Sequence, residues 1–296
     1  MLSVLIPVYN YDITRLVNRL HEQLIANDII FEIIILDDGS TNDCHIINAE
    51  IEKLSHTCHI ISSSNCGRVA TRQKLAEQAK HEWLLFLDAD VMPKTQDFIS
   101  NYINYTPRNH DAIYGGFAYN EEKPRDEFIL RWTYGRSNEQ VPASLRNKTP
   151  YKIVISANFM IKKAVFKRLN SKITQKGYGY DNYFGALLKT ENVNVLHIDN
   201  EVIHNGLEDN LIYLNKIEKS VDTLLKLDRQ NKLEKTENSL ITTFRSLKKW
   251  RLNYPISWIY RFSNSILRKH LLSQNPKVMV LQFYKLGYIC YQDLNS

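Results

Sequence analysis

The sequence is poor in cysteine, has no long apolar run and, over much of its last third, has no acid at all. Its four cysteines, Cys44, Cys58, Cys66 and Cys290, form no C-x-x-C pair and keep no regular spacing. That argues against a disulfide frame or a zinc site and reads as reduced thiols in a cytosolic protein. No stretch approaches the ~18 uninterrupted apolar residues of a membrane span. No basic segment precedes the first apolar run. Leu2 to Val8 is short and contains Pro7, so it is expected to be a strand and not a signal segment. From Asn238 to Gln292 there is neither Asp nor Glu.

What is present suits a globular chain. The 296 residues are 44% apolar, enough for one large domain or a domain plus an extension. The net charge of +6 is uneven. Residues 1–115 carry a balance of −6, residues 116–210 one of +3, and residues 211–296 one of +9. Such asymmetry points to different partners at the two ends.

The acidic part is organised around Leu84-Leu85-Phe86-Leu87-Asp88-Ala89-Asp90. An apolar run needs a core on both sides, whereas two carboxylates need water, a cation or a donor. A strand running into Asp-x-Asp therefore sets charge at the carboxyl edge of a sheet, where open α/β sheets bind ligands. Alternate side chains share a face, so Asp88 and Asp90 can share a divalent cation and its phosphate ligand. Taken by itself, the pair reads first as a strand followed by a turn.

The preceding residues repeat the pattern. Strands are expected at 3–8, 31–36, 58–62 and 83–87, and helices at 13–26, 43–54 and 68–80. Alternation of this kind predicts βαβ units, a mostly parallel sheet and helices on both faces. Three strands end in polar clusters: Tyr9 and Asn10 beyond the strand-breaking Pro7, then Asp37 and Asp38, then Asp88 and Asp90. Arg68 and Arg72 open the helix beside them. Carboxylates holding a cation, flanked by guanidinium groups, suit a diphosphate, and an aromatic suits a base.

SVLIPVYN, DDGS, N-x-G-R-x-x-x-R and LDAD, in this order, resemble the nucleotide-sugar half of the family 2 glycosyltransferases with the GT-A fold. The resemblance covers roughly the first two hundred residues. It implies that Tyr9 stacks on the base and that Asp38, with Asp37 nearby, accepts from a uracil imide. Arg68 and Arg72 would lie near base and diphosphate, Asp88 at the ribose, and Asp90 on Mn2+ or Mg2+.

Further along, a helix is expected at 95–105 and a strand at 112–119 with a close-approach pair, Gly115-Gly116. Residues 120–150 look irregular apart from a helix at 126–135; 136–150 reads as a mobile loop over the site or as plain surface. YKIVI (151–155) reads as a strand, followed by Ser156-Ala157-Asn158 and a short basic helix. SANFMIKK resembles the family segment under the donor sugar, and a turn capped by Ser156 or Asn158 fits equally well.

In Gly177-Tyr178-Gly179-Tyr180-Asp181 the glycines permit a sharp turn, and Asp181 stands at the start of a helix expected over 182–189, where the residues alone read it as an N-cap. The family places a Glu-Asp pair after such a turn, its aspartate being the general base. Here the segment is one residue shorter and the Glu is missing; the spacing to His197-Ile198-Asp199-Asn200 assigns the base position to Asp181, with Asn182 as the other alignment. Short strands are expected at 193–198 and 201–204. His204, ending the second, is a candidate to complete the metal shell, with His197 the weaker one.

The rest reads as helix, with an apolar stripe over 209–233. The acid-free stretch interleaves nine basic residues with aromatics. That composition suits an anionic membrane surface or a basic, solvated face of a packed appendage; no nucleic-acid motif supports a nucleic-acid partner.

The expected protein thus has a GT-A domain over 1–208, nucleotide-binding over 1–115 and sugar- and acceptor-binding over 116–208, plus a helical extension over 209–296. It would be cytoplasmic, with the inner face of the membrane as an open alternative. It would transfer a sugar from a nucleotide-sugar to a glycan or lipid-linked saccharide with inversion. The alternatives are a catalytically inactive nucleotide-sugar-binding module and a sugar nucleotidyltransferase. The latter expects a Gly-rich loop after the first strand, where Pro7-Val8-Tyr9-Asn10 stands instead.

Overall fold

Apolar side chains on both faces of the first strands require cover on both sides of the sheet. The computed structural model, which describes residues 1–106 and 108–296, shows that cover. Strand β1 (Leu2–Val8) is followed by α1 (Thr14–Ala26), β2 (Phe31–Asp37), α2 (Cys44–Asn48), β3 (Thr57–Ile61), α3 (Arg68–Gln78) and β4 (Trp83–Leu87). Then come β5 (Val91–Pro93), α4 (Phe98–Ile103), β6 (Ala112–Tyr114), β7 (Phe117–Ala118), α5 (Ile129–Asn138) and α6 (Ala143–Arg146). β8 (Asn158–Lys162), α7 (Lys163–Asn170), α8 (Tyr180–Thr190), β9 (Val195–His197) and β10 (Val202–His204) follow. Four helices end the chain: α9 (Asn210–Arg229), α10 (Ser239–Lys249), α11 (Asn253–Leu271) and α12 (Val278–Asn295).

The main sheet has the order β3-β2-β1-β4-β8-β6-β9; β5, β10 and β7 form a second, smaller sheet. β3, β2, β1 and β4 run parallel, and β8 is antiparallel to both β4 and β6. Alternation sorts the core. Leu5, Ile34, Leu36, Leu84 and Phe86 face one side, and Val4, Ile6, Ile33, Ile35, Leu85 and Leu87 face the other. Leu16, Val17, Leu20 and Leu24 of α1 seal the second face, each buried side chain contributing about 1.5–3 kcal/mol relative to exposure. The first face is sealed partly from the C-terminal end. Val221, Leu224 and Leu225 of α9, Ile241 and Phe244 of α10, and Ile289 of α12 belong to the same core as β4 and α8.

Several expectations are corrected. The helix expected over 43–54 stops at Asn48, and Ala49–Lys53 tighten into a 3-10 turn. The buried Asn48 amide is tied to Ile13 N–H and the Tyr11 carbonyl, which fixes that helix end. The helix over 95–105 shortens to Phe98–Ile103. The strand over 112–119 divides at Gly115-Gly116, and its halves join different sheets. Gly116 has φ +91°, and a Cβ there would lie 2.7 Å from the Arg146 guanidinium. YKIVI is not a strand; the strand is Asn158–Lys162, with Leu87 opposite Asn158. Asn158 is no cap either. Its buried amide donates to the Gly116 and Asn200 carbonyls and accepts from the Tyr102 hydroxyl.

The region 136–150 is not a plain surface loop. Arg146 is 2% exposed, and it donates to the carbonyls of Val141, Tyr114 and Ile198 at 2.8, 3.2 and 2.7 Å. Its guanidinium thus closes the ends of β6 and β9, where the two sheets part.

Candidate active site

β1 and β2 end level, because Val8 pairs with Asp37. The next residues, Tyr9 and Asp38, stand side by side, with Asp38 N–H on the Val8 carbonyl at 2.8 Å. Tyr9 is 48% exposed, an aromatic face left open to solvent. Asp38 is buried; its carboxylate accepts from the Cys66 and Gly67 amides, each at 2.8 Å, and fixes the loop entering α3. Asp37 is fully buried behind it. One oxygen accepts from Ser40 N–H at 2.7 Å and the other has no partner among the described residues.

Arg68 and Arg72 lie one helical turn apart and do different things. Arg72 is buried, its Nη2 2.5 Å from Asp88 Oδ1. It sits beneath the cleft and positions Asp88, and it is absent from the lining shared by Tyr9 and Asp38. Arg68 stands in the cleft itself. Burial pulls its pKa down, but Asp88, Asp181, Tyr178 and Asp90 outweigh that and hold it above its ordinary value.

Asp90 is brought to His204 by strand pairing. β5 begins at the next residue, and Val91 pairs with His204 of β10. Asp90 Oδ2 and His204 Nε2 are 3.3 Å apart, and His204 Nδ1 is buried without a partner among the described residues. Burial pushes Asp90 up, yet the His204 bond and charge, with Arg68, hold its carboxyl below the usual range. Gly206 has no room for a side chain: a Cβ would meet Asp90 Oδ2 at 2.1 Å. Asp88 and Asp90 therefore have separate partners, a guanidinium and an imidazole. His197, the weaker metal candidate, is not available. Both its nitrogens are engaged, with Arg146 and the Pro150 carbonyl, each at 2.8 Å.

Gly179, with φ +90°, makes the turn ahead of α8, and a Cβ there would lie 2.6 Å from the Ser220 hydroxyl of α9. Asp181 follows in the first helical turn, favourable for a carboxylate. Its neighbour Asn182 is tied away, its oxygen accepting from Asn238 at 2.6 Å.

Two cavities share a wall. One, of about 490 Å³, is lined by Pro7, Tyr9, Asp38, Asn65 and Lys176 among others. The other, of about 620 Å³, is lined by Asp181, His204, Glu139, Ser156, Lys152 and Lys285 among others. Arg68, Asp88, Asp90, Tyr178 and Lys216 face both. The fold thus assembles eight of the sequence-derived candidates, leaving Asp37 and Arg72 behind the wall.

Sequence reasoning passed over several lining residues. Tyr178 lies 5.6 Å from the Arg68 guanidinium and 4.9 Å from the Lys216 ammonium. Lys216 in turn is paired with Glu208. Lys176 reaches across to Asn65 Oδ1 at 2.5 Å, bridging the mouth of the smaller cavity. In the larger one, Arg131 binds Glu139 at 2.9 Å, and the Tyr119 hydroxyl donates to the same carboxylate. Burial pulls Lys285 down to about 8, with Glu139 opposing. Tyr178 lay inside the glycine-flanked stretch and was findable there. Lys216, a polar position off the apolar stripe of α9, carried no signal.

A sheet of this order, with carboxylates and an open aromatic at the ends of its parallel strands, defines the GT-A class. Within it the chain belongs to glycosyl transferase family 2, whose model matches residues 3–169. It is 28% identical over 206 residues to an uncharacterized glycosyltransferase, MG060, of Mycoplasma genitalium, covering 67% of this chain and 66% of that protein. It is 36% identical over 128 residues to another, RC0461 of Rickettsia conorii, covering 43% of this chain and 20% of that one. The matched part is thus less than two thirds of either relative's length. Among solved structures, S. aureus TarS (residues 1–349) in complex with UDP-GlcNAc superposes with a TM-score of 0.53 at 17% identity, covering 99% and 91% of the two chains. The mannosyltransferase PcManGT from Pyrobaculum calidifontis, in complex with GDP-Man and Mn2+, gives 0.53 at 12% identity, covering 77% and 64%. At these identities the likeness is one of fold.

Proposed function

We propose that this chain is an inverting, divalent-metal-dependent glycosyltransferase that moves a sugar from a nucleotide-sugar to an acceptor hydroxyl. One observation carries the reading: Arg68, Asp88 and Asp90 form a wall shared by two cavities, with Tyr9 and Asp38 in one and Asp181 in the other. A nucleoside in the first cavity would set its diphosphate at that wall and its sugar toward the second. The donor is a UDP-sugar by the family resemblance, and the acceptor a glycan or lipid-linked saccharide. Residues 1–208 form the catalytic unit in this reading. The extension over 209–296 closes its acceptor end, since Ser239, Gln282 and Lys285 line the larger cavity.

The roles follow from the chemistry present. Tyr9 offers a stacking face to the base. Asp38, held rigid by the Cys66 and Gly67 amides, offers a remaining lone pair to an imide N–H. Asp88, oriented by Arg72, faces the ribose, and Arg68 donates to diphosphate oxygens. Asp90 and His204 bring one carboxylate oxygen and one imidazole nitrogen together, a donor pair that fits Mn2+ or Mg2+. Among the described residues no cluster of three Asp, Glu, His or Cys is formed, so water and diphosphate oxygens would complete the shell. When bound, such a cation supplies Lewis-acid stabilisation of the leaving diphosphate. Asp181 accepts the acceptor hydroxyl's proton as that oxygen bonds the anomeric carbon and the bond to the diphosphate breaks. The displacement proceeds on opposite faces and inverts the centre.

The test is a panel of UDP-sugars with Mn2+, read by UDP release, beside the Asp181→Asn variant. The wild type should release UDP on one donor. The variant should bind UDP normally and transfer on the order of 10²–10⁴-fold more slowly, the usual span for a lost general base. Near-normal transfer by the variant would remove Asp181 from that role. Binding without release by the wild type would favour the inactive binding module that the missing Glu keeps open.

A further inference from the structure

α11 presents an apolar ridge that nothing in the described molecule covers. Trp250, just ahead of the helix, and Tyr254, Trp258, Phe262 and Ile266 recur at every fourth position and are 59–73% exposed. Ile259 and Leu252 widen the ridge, both exposed. Trp258 and Phe262 lie edge to face, their centroids 4.8 Å apart. The other face of α11 is already used. Asn253, Ser257, Tyr260 and Leu271 are buried there, and Tyr260 packs so closely on α12 that a Cβ at Gly287 would come within 2.6 Å.

A stripe at helical spacing is ordinarily the core face of a helix. Here the stripe points outward, so its partner lies outside the chain. Charge says what kind. Arg261 follows Tyr254 by seven residues and Lys269 follows Phe262 by seven, which places both cations on the ridge side; both are exposed, as is Arg251. No acid occurs from Asn238 to Gln292 to offset them. From Tyr254 to Ile266 the ridge runs roughly 18 Å at 1.5 Å per residue. Among the described residues no helix is long and apolar enough to cross a membrane.

We propose that this ridge seats the protein on an anionic bilayer surface. α11 lies in the interface plane, its aromatic side chains enter the headgroup boundary, and Arg251, Arg261 and Lys269 meet lipid phosphates. The inference stands apart from the glycosyltransferase reading, because vesicle binding and UDP release are measured separately.

The experiment is co-sedimentation of the whole chain with vesicles of phosphatidylcholine alone or with a quarter of phosphatidylglycerol. Wild type should pellet with the anionic vesicles, weakly with the neutral ones, and less as salt rises. The Trp258→Ser/Phe262→Ser double variant should lose at least tenfold in partitioning. Arg261→Gln and Lys269→Gln should each lose about fivefold, the equivalent of ~1 kcal/mol per basic residue at an anionic surface. All these positions are exposed, and a thermal melt checks that the variants fold. Equal binding of wild type to both vesicle types, or unchanged binding of the double variant, would overturn the proposal. So would a concentration-dependent dimer that the double variant abolishes without altering vesicle binding, which would assign the ridge to a second copy of the chain.

Discussion

Mild acid should destabilise this protein before its carboxylates titrate, through one ring. His197 is 2% exposed. A guanidinium only donates, so His197 Nδ1 accepts from Arg146, and Nε2 carries the proton and donates to the Pro150 carbonyl. A second proton, on Nδ1, would face a cation inside the core. Burial lowers the pKa, the Pro150 bond raises it, and the Arg146 charge lowers it, leaving it at about 4 against an ordinary 6.5. The unfolded chain takes up this proton near pH 6.5, the folded one only near 4. Between those values the unfolded state holds more protons, so stability rises with pH. The contribution is whole above 6.5 and is lost as pH falls toward 4. At 1.36 kcal/mol per pH unit the loss is about 3 kcal/mol. Urea unfolding followed by circular dichroism from pH 7.5 to 4 measures it, with His197→Gln as reference, since Gln both accepts and donates but does not titrate. His59 and His81, also held below their ordinary values by burial, act on both proteins and drop out of the difference. Wild type should lose about 3 kcal/mol more than the variant. Parallel curves would refute the placing of a neutral ring against Arg146.

Two further outcomes probe the proposed metal ligands. Asp90→Ala should abolish the Mn2+-dependent part of UDP binding in calorimetry, leaving the metal-independent part; unchanged binding would take Asp90 out of the shell. Gly206→Ala should weaken Mn2+ affinity by roughly 10–100-fold, the usual effect of displacing a ligand's support, because the new methyl would occupy the space of Asp90 Oδ2. Normal affinity there would mean that Asp90 has room the structure denies it.

What could be read in advance, and what could not, follows from how far away each residue's partner lies. The four parallel strands were legible because apolar runs and turn residues are local signals, and the polar residues at their ends came with them. Arg68 and Arg72 look alike at that level. Only Asp88, sixteen positions on, decides that Arg72 is buried beneath the cleft while Arg68 stays in it. YKIVI has the composition of a strand, yet Ile153, Val154 and Ile155 form cavity wall. The strand begins at Asn158, whose polar side chain suggested a cap until Tyr102, Gly116 and Asn200 were seen around it. Arg146 is the extreme case. In an irregular charged stretch it reads as surface, but its acceptors include the Tyr114 and Ile198 carbonyls, 32 and 52 residues distant. A guanidinium can be buried with its nearest carboxylate oxygen, on Asp199, at 3.7 Å only because backbone oxygens satisfy it. Such a set exists only after β6 and β9 have paired. The same logic applies to the larger cavity. Its wall takes Glu139 from just beyond α5, Lys216 from α9, Ser239 from α10 and Lys285 from α12. The residues proposed to meet the donor sit at strand ends and so share one local grammar. The larger cavity, the proposed acceptor side, is built largely from helices that have only the core in common, which is why a nucleotide-sugar can be argued from the sequence and an acceptor cannot.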